Sequence, residues 1–169
     1  MRVGSQESAL GVDAVGRRIT SVEPDKPTDV LRVSPEEAQA LIGEGYVYVD
    51  VRSEPEFERG HPAGAVNVPL MQRGPAGLVS NPDFLSVMEE AFGKSERLVI
   101  GCQTGGRSLK AARMLAEAGY TNLRELRTGF EGSRDAFGRP EPGWSKRGLP
   151  VGTGAPPGQT YEDVKRRGG

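Results

Sequence analysis

The chain has 169 residues, 22 of them basic and 23 acidic, with a formal net charge of −1 and a single cysteine. That balance gives no general attraction to nucleic acid or to a membrane surface, and one cysteine excludes an internal disulfide and a multi-cysteine zinc site. No run approaches the length of a membrane span and the N-terminal stretch lacks an apolar signal core. The expectation is a soluble cytoplasmic protein, or one of an organelle stroma or matrix if a targeting segment has been removed.

Glycine and proline are abundant, at 24 and 13 residues, and hydrophobic content is a modest 36%. Together they predict a compact α/β domain with loop-rich ends. Residues 1–28 read as a flexible arm in which Arg18–Val22 has the pattern of a short edge strand. A domain over 29–151 opens with a strand at Val30–Val33. Ser34-Pro35-Glu36-Glu37 then carries a capping box with proline in the first helical position, starting a helix that stops at Gly43 or Gly45.

Tyr46–Val51 is strongly β-prone and reads as a central strand. A second capping box, Ser53-Glu54-Pro55-Glu56, starts a short helix ending near Gly60, and Gly64–Pro69 holds another short strand. Residues 71–80 read as a Gly/Pro loop containing Arg73, followed by a helix from about Pro82 to Phe92. After the strand at 97–101 and its helix, Thr121–Leu126 gives a last strand. Ser133–Gly143 reads as a polar excursion before Trp144, whose ring is expected to pack back on the domain, and 152–169 reads as a disordered tail. Strands alternating with helices predict a mostly parallel sheet of about five strands, covered on both faces.

The chemistry concentrates in Leu98-Val99-Ile100-Gly101-Cys102-Gln103-Thr104-Gly105-Gly106-Arg107-Ser108. An apolar strand runs into a loop and then a helix, and the lone thiol sits at the junction, the end of a parallel sheet where ligands bind. A short loop closing on a helix N-terminus turns several N–H groups inward as an anion nest. A thiol held there is favoured as the thiolate, the nucleophilic form. Gly105 and Gly106 permit positive φ and close approach of a ligand, and Arg107 adds a permanent charge. An inert cysteine in a glycine-rich turn is the alternative, which this flanking sequence disfavours.

Three separated segments resemble the rhodanese (thiosulfate sulfurtransferase) family in its single-domain form. They are Asp50-Val51-Arg52, then Gly60-His61-Pro62-Ala63-Gly64-Ala65-Val66-Asn67-Val68-Pro69, and Cys102 through Ser108. The resemblance implies a rhodanese-like α/β fold and a cysteine that carries sulfur as a persulfide. It implies no metal and no organic cofactor. Its partners would be a small sulfur donor, thiosulfate or a persulfide, and a thiol or cyanide acceptor, an acceptor protein among them. A monomer is expected. Cys102 to Arg107 spans six residues, the size that resembles sulfurtransferases; phosphatases and arsenate reductases of the same fold use a loop one residue longer. Those enzymes form one alternative, and a regulatory sulfur carrier or partner-binding module with slow turnover forms another.

Cys102 is thus the expected nucleophile, with Gln103, Thr104, Gly105, Gly106, Arg107 and Ser108 binding substrate and persulfide. Arg107 is equally suited to touch an anion or to pair with a carboxylate beneath the loop, and Ser108 is read as capping the helix or steadying the loop through its hydroxyl. Asp50 and Arg52 are expected to form buried ion pairs that hold the loops, and His61, the only histidine, to be structural. Arg73, Arg124 and Arg127 are candidates for positive potential at the mouth, against the plainer reading of scattered surface arginines.

Overall fold

The computed structural model describes residues 30–168 and, within the N-terminal arm, two short strands, β1 (Val12–Asp13) and β2 (Arg17–Arg18), paired antiparallel. Of the segment 18–22 read as an edge strand, only Arg18 is described, and it pairs within the arm; the rest lies outside the described residues.

From β3 (Leu31–Val33) the chain enters α1 (Pro35–Gly43) through the expected box: Ser34 Oγ accepts from the Glu37 N–H at 3.1 Å, and Glu37 accepts from the Ser34 N–H at 2.8 Å. Next come β4 (Val47–Asp50), α2 (Glu54–Arg59), β5 (His61–Pro62) and β6 (Val66–Asn67). Residues 71–80 are not a loop. They form a hairpin of β7 (Met71–Gly74) and β8 (Gly77–Ser80), turning at Pro75-Ala76, with Gly77 at φ of 120° as the first residue of β8. Then follow α3 (Phe84–Ala91), β9 (Arg97–Gly101), α4 (Gly106–Glu117) and β10 (Asn122–Leu126).

Five strands make one parallel sheet in the order β3-β10-β9-β4-β6. Alternation along its strands sorts the core into two layers. Tyr48, Val99 and Leu126 face α1, Phe57 of α2 and Trp144, whereas Val49, Leu98 and Ile100 face α3 and α4. Each fully buried aliphatic side chain here contributes ~1.5–3 kcal/mol relative to exposure. Trp144 is fully buried, set edge-on to Tyr48 at 5.9 Å, and its indole N–H donates to the Pro150 carbonyl at 2.8 Å.

The polar excursion after Gly129 is also a hairpin, β11 (Gly132–Arg134) with β12 (Pro140–Pro142), followed by a single 3-10 turn at Trp144–Lys146. The C-terminal segment departs most from expectation. After β13 (Val151–Gly152), which pairs with β5, the chain lays Gln159 along the edge of the sheet and ends in a helix, α5 (Tyr161–Gly168). The Gln159 carbonyl accepts from the Asn67 N–H at 2.9 Å, and its amide donates to the Ala65 carbonyl at 2.8 Å. Tyr161 and Val164 are buried against α3 and β6, and the Tyr161 hydroxyl accepts from Asn81 at 3.0 Å. Two apolar residues one helical turn apart, plus an open strand edge, order a segment whose composition reads as disordered.

Candidate active site

Sheet register brings the site together. Asp50 at the end of β4 lies opposite Gly101 at the end of β9, and Glu125 of β10 lies opposite Ile100. Cys102 therefore leaves the central strand with one acidic residue on each flank. Gly101 is the contact point below: an added Cβ would collide with the Tyr48 hydroxyl. That hydroxyl is buried with no hydrogen-bond partner, and burial, then the Asp50 charge, raise its pKa well above the ordinary value.

Cys102 is 2% exposed at the floor of the loop. The N–H groups of Gly105 and Ser108 donate to its Sγ at 3.2 and 3.3 Å, and the Ser108 hydroxyl stands 3.3 Å from the same atom. Gly105 makes this possible with φ of 104°; a Cβ there would run into the Arg127 carbonyl oxygen and stand 3.0 Å from Arg32 Nη2. The remaining loop residues divide between support and surface. Gly106 opens α4 and is exposed with Thr104 toward solvent. Half-buried Gln103 accepts from Arg52 Nη1 at 2.8 Å, and its carbonyl accepts from the Glu131 N–H at 2.9 Å.

Arg107 pairs with a carboxylate. Its two terminal nitrogens donate to Glu56 Oε1 and Oε2 at 2.8 and 3.0 Å, the bidentate geometry that guanidinium favours. Glu56 also accepts from the Ser53 N–H and hydroxyl at 3.1 and 2.9 Å, so the second helix cap doubles as the anchor of the loop arginine. Partial burial raises the Glu56 pKa, but the Arg107 and Ser53 hydrogen bonds outweigh it and bring it to about 2.

Asp50 and Arg52 form the buried ion pair, 2.7 Å from Nη2 to Oδ2. Arg52 further donates to the Gly60 carbonyl at 2.6 Å and lies 4.7 Å above the Phe130 ring, while the Asn67 amide ties the backbone carbonyls of both residues at 2.9 Å. His61 is buried beside this cluster as a strut. Its ring stacks on Phe57 at 3.8 Å, and Nδ1 lies 2.7 Å from the Phe57 carbonyl, which only accepts, so Nδ1 carries the proton there.

On the opposite flank lie residues that sequence reasoning missed. The Ser108 hydroxyl donates to Glu125 Oε2, and Arg32 Nε donates to Glu125 Oε1 at 2.6 Å. Arg32 Nη2 reaches the Gly105 carbonyl at 3.1 Å. Glu125 is fully buried, and burial raises its pKa despite the hydrogen bonds from Arg32 and Ser108. The available signal was weak: Glu125 shares the face of Leu123, the side toward α4, in a strand whose Asn122 and Arg124 are also polar.

Of the three mouth arginines, Arg127 borders a groove between the loop and the β11–β12 hairpin, where it pairs with Glu141. Arg73 lies on β7, and Arg124 reaches over the Tyr46 ring instead. Among the described residues no cluster of His, Cys, Asp and Glu side chains is arranged to hold a metal ion, and no helix is long and apolar enough to cross a membrane.

Comparison with known proteins decides the family. The rhodanese-like domain model matches residues 34–136, from the first helix cap past the Cys102 loop to just beyond the end of β11. The chain belongs to the rhodanese family. It is 42% identical over 114 residues to "Thiosulfate sulfurtransferase 16, chloroplastic" of Arabidopsis thaliana, covering 68% of this chain and 86% of that one. A second relative, "Protein HIGH ARSENIC CONTENT 1, mitochondrial" of the same plant, is 33% identical over 72% of each chain. The crystal structure of Rv0390 from M. tuberculosis superposes with a TM-score of 0.60 at 30% identity, covering 73% of this chain and 97% of that one. The rhodanese fold expected from the three motifs is the fold this chain has.

Proposed function

We propose that this rhodanese-family chain is a sulfurtransferase that carries a sulfane sulfur on Cys102. The observation that carries the reading is the size and aim of the nest: a six-residue loop with the Gly105 and Ser108 N–H groups both trained on Sγ. A nest this tight fits one transferred sulfur atom better than a tetrahedral oxyanion. The names of relatives such as thiosulfate sulfurtransferase 16 support the same chemistry.

Two displacements follow. The Cys102 thiolate attacks the outer sulfur of thiosulfate, a new S–S bond forms, the donor's S–S bond breaks, and sulfite leaves with its electron pair. The persulfide anion then resides at the loop, stabilised by inward N–H groups at the head of α4. Cyanide or a thiolate attacks the terminal sulfur, and the bonding pair returns to Cys102 as thiolate. Arg107, engaged by Glu56 on two nitrogens, sets the loop's shape and adds positive potential to the incoming anion. Asp50, Arg52 and His61 hold the flanking turns.

Reduction or hydrolysis of an oxyanion is the second reading, motivated by the relative named for arsenic content. The test is a paired assay. Wild-type protein is expected to make thiocyanate from thiosulfate and cyanide, with no turnover by Cys102→Ser. Thiocyanate formation by Cys102→Ser, or phosphotyrosine-mimic hydrolysis without thiocyanate formation by wild type, would overturn the assignment.

A further inference from the structure

We propose that Glu125, acting through Ser108, is a positioning residue that shares one negative charge with Cys102: the carboxyl is ionised when the sulfur is a thiol and protonated when it is a thiolate. The inference rests on Cys102 being the nucleophile of the exchange above.

Geometry leaves few other arrangements. Cys102 Sγ, Ser108 Oγ and Glu125 Oε2 form an unbroken chain, with Sγ and Oγ 3.3 Å apart and Ser108 hydrogen-bonded onward to Glu125. All three residues are buried, so water does not complete their hydrogen bonding. Ser108 has one proton to donate. A carboxylate only accepts, so an ionised Glu125 takes that proton and presents the Ser108 oxygen to the sulfur as an acceptor, the partner of an S–H. A carboxylic acid can donate, and Ser108 is then free to turn its own hydrogen toward a thiolate.

The two states differ by a concerted shift. The S–H bond breaks as an O–H bond forms on Ser108, and Ser108's former proton moves to Glu125 Oε2. No charge enters or leaves the core. Placing both negative charges within this buried chain is costly, which is what makes the occupancy alternate.

The groups facing Glu125 fit the arrangement. Arg32 from β3 meets its other oxygen but is about a third exposed, 34%. Arg127 contributes from just beyond β10; the Tyr48 hydroxyl, held un-ionised, lies on the other face of the sheet. Burial outweighs both arginines and raises the carboxyl's proton affinity, as a shared proton requires. Arg32 also bonds the Gly105 carbonyl, linking the carboxyl to the loop residue whose N–H holds the sulfur.

Alkylation of Cys102 by iodoacetamide, followed by mass spectrometry across pH, reads the thiolate without requiring sulfur transfer. Glu125→Gln keeps the shape, and its amide donates to Ser108, which then points its hydrogen at the sulfur permanently. At about pH 6 alkylation is expected to be ~tenfold faster than wild type, one unit of proton affinity, with the two-step pH profile collapsing to one step. In a Ser108→Ala background the same substitution is expected to gain ~twofold or less.

An unchanged or slower Glu125→Gln profile overturns the inference. So does a gain that survives whole without Ser108, which would make Glu125 a through-space charge only. Should the variants misfold, infrared difference spectra of unmutated protein decide: alkylating Cys102 removes the thiolate, so a protonated-carboxyl band, shifted by carboxyl-labelled glutamate, must fall. A band that does not move refutes the sharing. Thiocyanate production, measured in parallel, separates the two levels. Wild-type transfer with no alkylation effect sinks only the proton sharing, whereas the alkylation effect without transfer sinks only the sulfurtransferase reading.

Discussion

Two glutamates flank one thiol and are driven in opposite directions. Glu56 lies at the start of α2, partly open to solvent, gripped by both terminal nitrogens of Arg107 and capped by Ser53; its carboxyl is held at about 2. Glu125 lies inside the sheet layer with one arginine and one hydroxyl, and burial raises its proton affinity. The residue type is the same, and each carboxylate is hydrogen-bonded to a side chain of the loop or of the helix it opens. What differs is whether donors outnumber the loss of water. One carboxylate is a permanent anchor for the loop arginine, and the other is suited to give and take a proton.

The largest expected effect comes from the anchored flank. Arg52→Leu leaves Asp50 buried without its cation and removes the ties to Gln103 and Gly60. It is expected to cost about 3–5 kcal/mol in denaturant unfolding, the usual loss for half of a buried pair. A cost under about 1 kcal/mol would mean this flank is held by packing alone.

Gly105→Ala acts between the flanks. Positive φ at a residue with a Cβ, and the collision with the Arg127 carbonyl, are expected to cost ~1–3 kcal/mol. Because the Gly105 N–H holds the sulfur, the alkylation rate should fall with stability. Stability lost with alkylation unchanged would show that Ser108's N–H suffices.

The two glutamates themselves give opposite pH signatures. Glu56 has a folded pKa lowered from 4.5 to about 2, so its contribution is present above pH 4.5 and is lost as pH falls toward about 2. Glu56→Gln is therefore less stable than wild type at neutral pH, with the difference closing across that acid window. Glu125 has a raised folded pKa, so its contribution is present below the unfolded value and is lost as pH rises through the folded one. In Glu125→Gln the slope of stability against pH above that unfolded value is expected to turn less negative. Unfolding midpoints measured from acid to neutral pH check both; the same sign of slope change in the two variants would erase the contrast.

Smallest of all is the control far from either flank. Phe137, 82% exposed at the β11–β12 turn, is expected to change stability by no more than about 0.5 kcal/mol when replaced by Ala.

Much of the anchored flank was legible in the sequence. Ser53 and Glu56 announce a capping box, Asp50-Val51-Arg52 sits where a strand ends, and Cys102–Ser108 carries its own glycines. Glu125 was not legible, because Arg124-Glu125 inside Asn122–Leu126 looks like an ordinary pair at a strand surface. Only the parallel register, which sets Glu125 opposite Arg32 and Ile100, places it behind the Cys102 loop. The two hairpins escaped for a related reason. Gly/Pro-rich stretches with little apolar alternation read as loops, and Pro140 and Pro142 are tolerated because their strand has a single partner. Helix α5 escaped because Tyr161 and Val164 are too few to signal until the α3 surface they cover is known.

Sulfur transfer as proposed requires Cys102 to take up one sulfur atom. Mass spectrometry of the intact protein after thiosulfate treatment, with peptide mapping, tests it most directly. One added sulfur on Cys102, removed by cyanide with thiocyanate as the product, is the predicted result. An unmodified Cys102 after thiosulfate and low-molecular-weight persulfides alike would contradict it.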